Sequence, residues 1–367
     1  MTSPPVVTVL MPVYNGEPFL KDAIGSILRQ TYREFELLII DDGSTDGTPN
    51  TLAESQRRDS RIVVHRQANQ GLTATLNRGL SVARGTFIAR MDQDDVALPT
   101  RLAKQVAFLS DRPDVAILGT AYWLIDQKGR HVDLKRFPTS DLHIRWTNLL
   151  APAFAHPTVM LRRDLLLENG LWYDSAFPDV EDYDLWRRVL RHSRGANLGE
   201  ALLDYRCHPG SMSSLRRATQ LQSSDLLALQ TVREELPDFP VSLESVSRMR
   251  RLFVGGAPDD EQQVENRVAV GNAYLDMLDA WLSKHHDNPQ TATVRRQESA
   301  RVAAVNLFHV PQEGWGRLCR RLLALSPLLP FDVGFHYLKA VSKRFKLGLT
   351  MPIRRRLAGS GFSRPVN

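Results

Sequence analysis

Apolar positions in the first hundred residues come as short continuous runs, each followed by a segment with helical spacing. VVTVLMP (6–12) is an apolar, β-branched run ended by Pro12, and FLKDAIGSILRQ (19–30) gathers its apolar residues on one helical face. FELLIIDD (35–42) predicts a second buried strand, closed by the turn-rich GSTDGT (43–48). TPNTLAESQRR then predicts a helix with Thr48 as N-cap and Pro49 at the first helical position. RIVVHRQ (61–67), LTATLNRGLSVARG (72–85), TFIARMD (86–92) and PTRLAKQVAFLS (99–110) continue strand, helix, strand, helix. This alternation predicts βαβ units, hence an α/β fold with a mainly parallel sheet flanked by helices. Ligand sites in such sheets lie off the carboxyl ends of the strands. PVYNG, DDGSTD, NQG and MDQDD all fall at that rim.

From about residue 115 the pattern changes. VAILGTAYWLID predicts a hairpin, a helix is expected near PDVEDYDLWRRVLRH, and ALLDYRCHPGSMS (201–213) closes the region. Beyond Ser214 the chain reads as helical, with breaks at PDFP, GGAPDD and DNP. The expected division is therefore a catalytic domain over 1–214 and a helical C-terminal region over 215–367.

Charge sharpens this division. The net charge is +6, but residues 312–367 hold eleven Lys/Arg against two acids, a local +9. The remaining 311 residues carry 36 bases and 39 acids, so the basic character belongs to the tail alone. GRLCRRLLALSPLLPFDVGFHYLKAVSKRFKLGLTMPIRRRL mixes apolar clusters with bases at amphipathic-helix intervals, which predicts contact with an anionic membrane surface. A solvated basic face or an oligomer contact is the competing reading of the same tail. No nucleic-acid module accompanies it, so nucleic acid is not an expected partner.

No stretch approaches the roughly 20 apolar residues of a membrane-spanning helix. The first residues lack a basic n-region, so no signal peptide is expected. Cys207 and Cys319 make neither a metal-ligand spacing nor a disulfide framework. These features predict a cytoplasmic protein, peripheral at the inner membrane face if the tail binds lipid.

The chemistry concentrates in three acidic groups. In DDGSTDG (41–47), the opening of a calcium loop is mimicked, but Ala53 stands where a bidentate Glu is required. An Asx-turn capping the next helix is the competing reading for Asp46. Asp41 and Asp42 end a buried strand without any turn requirement, and could accept from a nucleobase N–H or a ribose hydroxyl. In MDQDD (91–95) the period-two rule puts Asp92 and Asp94 on one face and Asp95 on the other. Paired carboxylates backed by a dry strand suit a hard divalent cation, Mn²⁺ or Mg²⁺, and a solvated acidic turn is the alternative. In PDVEDYDLW (178–186), Asp179 is the expected N-cap, with Glu181 and Asp182 in the first helical turn. Ordinary helix-start chemistry would explain acids there, yet the same dipole would keep an Asp ionised and able to take a proton.

With these motifs in their order and spacing, residues 6–213 resemble the inverting GT-A glycosyltransferases of glycosyltransferase family 2. The resemblance implies a GT-A (nucleotide-diphospho-sugar transferase, Rossmann-like) domain moving a sugar from a nucleotide sugar, typically a UDP-sugar. The acceptor it implies is a hydroxyl of a glycan or lipid-linked glycan, as in cell-surface polysaccharide biosynthesis. It places Pro12, Tyr14 and Asp42 at the nucleobase and Asp92 at the first acid of the DxD motif, on ribose or metal. Asp94 falls at the second acid, the main metal ligand, and Asp95 at a common additional acid. Asp182 falls at the catalytic base, with Glu181 beside it, and His208 at a histidine near the diphosphate or metal. His156 and Trp186 are weaker candidates for contact with a donor or acceptor sugar, with core packing as the stronger reading. A nucleotidyltransferase would need a basic triphosphate-cradling loop, which PVYNGEPF does not offer. A non-catalytic nucleotide-sugar-binding subunit would have no need of Asp42, Asp92, Asp94 and Asp182 together.

Overall fold

A computed structural model describes residues 4–211, 215–255, 267–307 and 321–322. Its first half alternates as the sequence predicts: β1 (Val7–Val13), α1 (Leu20–Leu28), β2 (Phe35–Asp41), α2 (Thr48–Arg58), β3 (Ile62–Arg66), α3 (Leu72–Val82) and β4 (Phe87–Arg90). The short β5 (Val96–Ala97) and α4 (Arg101–Asp111) follow. Next come β6 (Val115–Ile125), β7 (His131–Lys135), α5 (Asp141–Leu150), β8 (Met160–Arg162), α6 (Arg163–Glu168), α7 (Glu181–His192) and β9 (Arg194–Arg206). The nine strands form one sheet in the order β3-β2-β1-β4-β8-β6-β9-β5, with β7 paired to β6. Strands β3, β2, β1 and β4 are mutually parallel, and the antiparallel β8 joins them to the mixed half built on β6 and β9.

The parallel strands are apolar throughout because helices cover both faces. FELLIID of β2 is buried at all seven positions. Alternation then divides the core. Val7, Val9 and Met11 pack with Ala23 and Ile27 of α1 and Leu102 and Leu109 of α4. Leu10, Leu38 and Ile88 pack with Leu76 of α3 and Leu185 and Val189 of α7 on the other face. Gly79 lets α3 lie on β1, since a Cβ there would fall 2.2 Å from Leu10 Cδ1.

The C-terminal helices are α8 (Arg217–Glu235), α9 (Leu243–Arg250), α10 (Arg267–Ser283) and α11 (Thr291–Leu307). PDFP and DNP separate them as expected, whereas most of GGAPDD lies outside the described residues. They share a third core with α5, in which Leu142, Trp146 and Leu149 meet Leu275, Leu278 and Trp281. A polar pin runs through it. Buried Glu298 accepts from Tyr274 Oη at 2.6 Å and pairs with His143 Nε2 at 2.6 Å, while Trp146 Nε1 donates to Tyr274 Oη at 3.0 Å. The boundary expected near 214 falls at residues 212–214, outside the described residues. Of the basic tail, only Arg321 and Leu322 are described, so the membrane-contact expectation also lies outside them. Arg321 pairs with Asp276 at 2.8 Å and Asp279 at 3.0 Å. Among the described residues no helix is long and apolar enough to cross a membrane.

Two helix starts differ from expectation. Thr48 is the first helical residue rather than the cap: its N–H donates to Asp46 Oδ1 at 3.0 Å, and its hydroxyl accepts from the Gly16 N–H at 2.8 Å. The competing Asx-turn reading of Asp46 is what the structure contains. Val180, not Asp179, precedes α7 as N-cap. Asp179 instead adopts a left-handed φ of 68° and faces α8.

Candidate active site

The carboxyl ends of β1, β2 and β4 meet at one rim, and each presents a different chemistry. At the end of β2, Gly43 turns the chain at φ 77°, where a Cβ would lie 2.9 Å from the Asn69 nitrogen. Asp41 Oδ1 accepts from the Ser44 N–H at 2.9 Å and Oδ2 lies 3.3 Å from Arg66. Asp42 is buried and accepts from Gln67 Nε2 at 2.7 Å, the Gln70 N–H at 2.9 Å and the Gly71 N–H at 2.9 Å. A carboxylate offers about four acceptor directions. Asp42 thus spends most of them ordering the loop between β3 and α3, with about one left for a ligand N–H. Pro12 is buried within β1, and Tyr14, 47% exposed, stands at its end. Gln93 clasps the Tyr14 main chain, accepting from its N–H at 2.8 Å and donating to its carbonyl at 3.1 Å. The β1 and β4 rims are thereby fastened together.

β4 stops at Arg90, so the period-two argument does not extend into MDQDD. Instead the segment turns, and Asp92, Asp94 and Asp95 converge with carboxylate oxygens all within 4.8 Å of one another. Asp92 pairs with the buried Arg90. Asp94 Oδ2 lies 2.9 Å from His208 Nε2, whose ring packs on Phe19 at 5.0 Å. Asp95 is the most buried of the three. Its Oδ1 accepts from the Arg206 N–H at 2.8 Å, while its buried Oδ2 has no hydrogen-bond partner among the described residues. Burial raises the pKa of Asp94, with Asp92 adding to the rise and His208 opposing it. Burial, then Asp92 and Asp94, holds Asp95 well above the ordinary carboxylate range. Three crowded acids and an orphaned oxygen, which alone costs about 1–3 kcal/mol, are what a cation would relieve. An all-oxygen donor set fits a hard divalent ion.

The second acidic pair begins α7. Burial first, then Asp182, pushes Glu181 up to about 7. Burial pushes Asp182 up to about 6, against the Tyr183 N–H, which donates to its Oδ1 at 2.7 Å, and against Arg90. Desolvation thus works against the helix dipole that was expected to keep Asp182 ionised, and still leaves it mostly ionised at neutral pH. The pair therefore exchanges a proton between about pH 6 and pH 7.

Arg90 links the two acidic groups. Alternation on β4 places it on the α7 side of the sheet, where it is buried among Asp92, Asp95 and Tyr173. Burial opposes its charge, yet Asp92 more than offsets this and holds the guanidinium above its ordinary pKa. It also lowers Glu181 and Asp182. Neither Arg90 nor Tyr173 was singled out from sequence. A lone cation inside an apolar strand was the available signal, since Arg is rarely buried without a partner. Tyr173 is held by Asn77, which donates to its carbonyl at 2.8 Å and accepts from its N–H at 2.9 Å.

His156 and Trp186 are packed in the core, the stronger of the two readings the sequence offered for them. His156 is buried, lies 2.8 Å from Tyr173 Oη and is kept neutral by burial and then by Arg90. Trp186 is fully buried, its ring edge-on to His156 at 5.7 Å and to Phe154 at 6.2 Å. Both are packing residues around Tyr173 and Phe154.

Known proteins match this arrangement. A family profile, Glycosyl transferase family 2, matches residues 8–170. An uncharacterized glycosyltransferase of Haemophilus influenzae is 30% identical over 266 residues, covering 69% of this chain and 81% of the relative. The O-antigen biosynthesis glycosyltransferase WbnJ of Escherichia coli is 34% identical over 210 residues, covering 55% of this chain and 80% of the relative. The crystal structure of S. aureus TarS 1–349 in complex with UDP-GlcNAc superposes with a TM-score of 0.53 at 19% identity, over 93% of this chain and 92% of that one. That likeness concerns the fold. On these matches the chain belongs to glycosyltransferase family 2: it is a glycosyltransferase built on the GT-A fold.

Proposed function

We propose that the enzyme transfers a sugar from a nucleotide sugar, a UDP-sugar in the first instance, to a hydroxyl of a glycan or lipid-linked glycan, with inversion and with a divalent cation bound. The observation carrying this reading is the convergence of Asp92, Asp94 and Asp95 within 4.8 Å, beside but separate from the Glu181–Asp182 pair. Bound there, Mn²⁺ or Mg²⁺ supplies Lewis-acid neutralisation of the leaving diphosphate. Asp94 and Asp95 would hold the ion, and Asp92, drawn toward Arg90, would serve the metal or the ribose. His208 orients Asp94. Tyr14 and Asp42 bracket the place of the nucleobase at the β1 and β2 ends.

Asp182 takes the proton from the acceptor hydroxyl as that oxygen attacks the anomeric carbon. A carboxylate near pH 6 is a better base than an ordinary Asp while remaining mostly ionised at neutral pH. Attack from the face opposite the leaving group breaks one bond as the other forms, so the configuration inverts without a glycosyl-enzyme. Names of two comparison proteins fit: one acts in O-antigen biosynthesis and the other binds UDP-GlcNAc. The test is a panel of UDP- and GDP-sugars assayed for nucleotide release with Mn²⁺, with Mg²⁺ and with EDTA. Release by wild type that needs the cation and is lost in Asp94→Asn supports the reading. Equal release in EDTA removes the metal from it.

A further inference from the structure

We propose that Gln93 is a positioning residue that ties the acidic turn to Tyr14, so that a cation bound by the acids tightens the hold on the nucleobase. This rests on the reading of Tyr14 and of the three acids given above, and adds the link between them.

Main-chain pairing between β1 and β4 stops short of the rim. The last paired residues are Leu10 and Arg90, and the Met91 N–H still reaches the Leu10 carbonyl at 3.0 Å. β1 runs on to Val13, whereas β4 has ended at Arg90. At Tyr14 a side chain takes over the pairing. Gln93 Oε1 accepts from the Tyr14 N–H at 2.8 Å, and its Nε2 donates to the Tyr14 carbonyl at 3.1 Å. A carboxamide supplies both the acceptor and the donor, where a carboxylate would accept from the N–H and leave the carbonyl unmet. Gly16 leaves room for the amide, since a Cβ there would fall 3.2 Å from Gln93 Oε1. Beyond Tyr14 the chain is fixed to the turn after β2. The Asn15 N–H donates to Ser44 Oγ at 2.9 Å, and Asn15 Oδ1 accepts from the Thr45 N–H at 2.9 Å. Tyr14 is therefore held from one side by Asn15 and from the other by Gln93.

Gln93 stands between Asp92 and Asp94 in the chain, and their carboxylate oxygens lie with that of Asp95 within 4.8 Å. Repulsion among these carboxylates works against a single fixed turn, and an ion that joins them removes it. The ion thereby orders the Gln93 amide and, through its two hydrogen bonds, the Tyr14 peptide. A nucleobase that binds afterwards no longer has to supply that order, so the two ligands cooperate without touching. Linkage makes the effect reciprocal, and the nucleobase tightens the ion by the same factor. A clasp that served only to close the end of the sheet would leave the two ligands independent.

Uridine separates this link from a direct contact, because it has no phosphate to reach the ion. Its affinity for the full chain is measured by calorimetry without and with saturating Mn²⁺, and Mn²⁺ affinity without and with uridine. Wild type should show tightening of about fivefold or more in both directions, the low end of coupling between sites. Gln93→Met and Gln93→Ala both remove the two hydrogen bonds, the first at similar volume. Both variants should bring the two ratios close to one, with Mn²⁺ alone bound about as tightly as by wild type. A wild type that binds both ligands without tightening overturns the proposal, and so does tightening that persists in either variant. So does a loss of about tenfold or more in Mn²⁺ affinity without uridine, which would place Gln93 on the acids rather than on Tyr14. A wild type that binds no uridine overturns the nucleobase reading instead, one that binds no Mn²⁺ the cation reading, and this proposal falls with either.

Discussion

Glu298 should bear most of the polar load between the catalytic sheet's α5 and the C-terminal helices. It is fully buried, paired with His143 and Tyr274 at 2.6 Å each, and 3.5 Å from Arg301. Burial opposes its ionisation, but Arg301, His143 and Tyr274 outweigh that and pull its pKa from 4.5 down to about 2. A depression of about 2.5 units corresponds to roughly 3 kcal/mol at 1.36 kcal/mol per unit. Because the folded pKa is depressed, this stabilisation is present above about pH 4.5 and is lost as pH falls toward 2. At pH 3, between the folded and unfolded pKa values, less than half of this remains. Glu298→Gln should therefore unfold about 3 kcal/mol more easily than wild type at pH 6, and by less than half that difference at pH 3. Urea unfolding followed by tryptophan emission reads this directly, since Trp146 and Trp281 both lie in the core that Glu298 pins. A difference below about 0.5 kcal/mol at pH 6, the range of ordinary surface substitutions, or one that does not shrink with acid, refutes the assignment.

Three further outcomes follow from the acidic rim. Arg90→Met removes the cation that lowers Glu181 and Asp182, so the acid limb of the kcat/KM profile should move from pH 6–7 to higher pH, with Arg90→Lys moving it less. An unmoved limb would separate Arg90 from the base. Asp95→Asn keeps an acceptor for the Arg206 N–H but loses a charge, so Mn²⁺ affinity by calorimetry should fall at least tenfold with the fold intact. Trp186→Ala should cost about 3–5 kcal/mol of stability as a buried aromatic truncation, while Trp186→Phe should leave the KM for donor unchanged, as its burial requires.

The rim was legible in the sequence because parallel βαβ units leave little choice about where strand ends point. Asp42, Asp92 and Asp94 could be gathered at the rim from local pattern, whereas Glu181 and Asp182 were joined to them by the family resemblance. What pattern could not supply was the environment between them. The alternation rule failed at MDQDD because β4 ends at Arg90, and a turn brings Asp95 into the cluster that alternation would separate. Asp182 looked like an ordinary ionised helix-start acid, since its burial is made by residues distant in sequence. Asp179 carried a capping signature, yet its partners, Arg216 and Thr219, lie beyond α7 and β9. The sharing of a core between α5 and the C-terminal helices was likewise hidden, because α10 is apolar on several faces and its period does not name its neighbour.

The most direct test of the account is turnover by Asp182→Asn set beside its ligand affinity. With a nucleotide sugar turned over by wild type, the variant should lose at least about two decades in kcat, the lower end of general-base catalysis. Calorimetric affinity for UDP with Mn²⁺ should stay within twofold of wild type. Wild-type turnover by Asp182→Asn would contradict the assignment of the base, and with it the division of work between the two acidic groups.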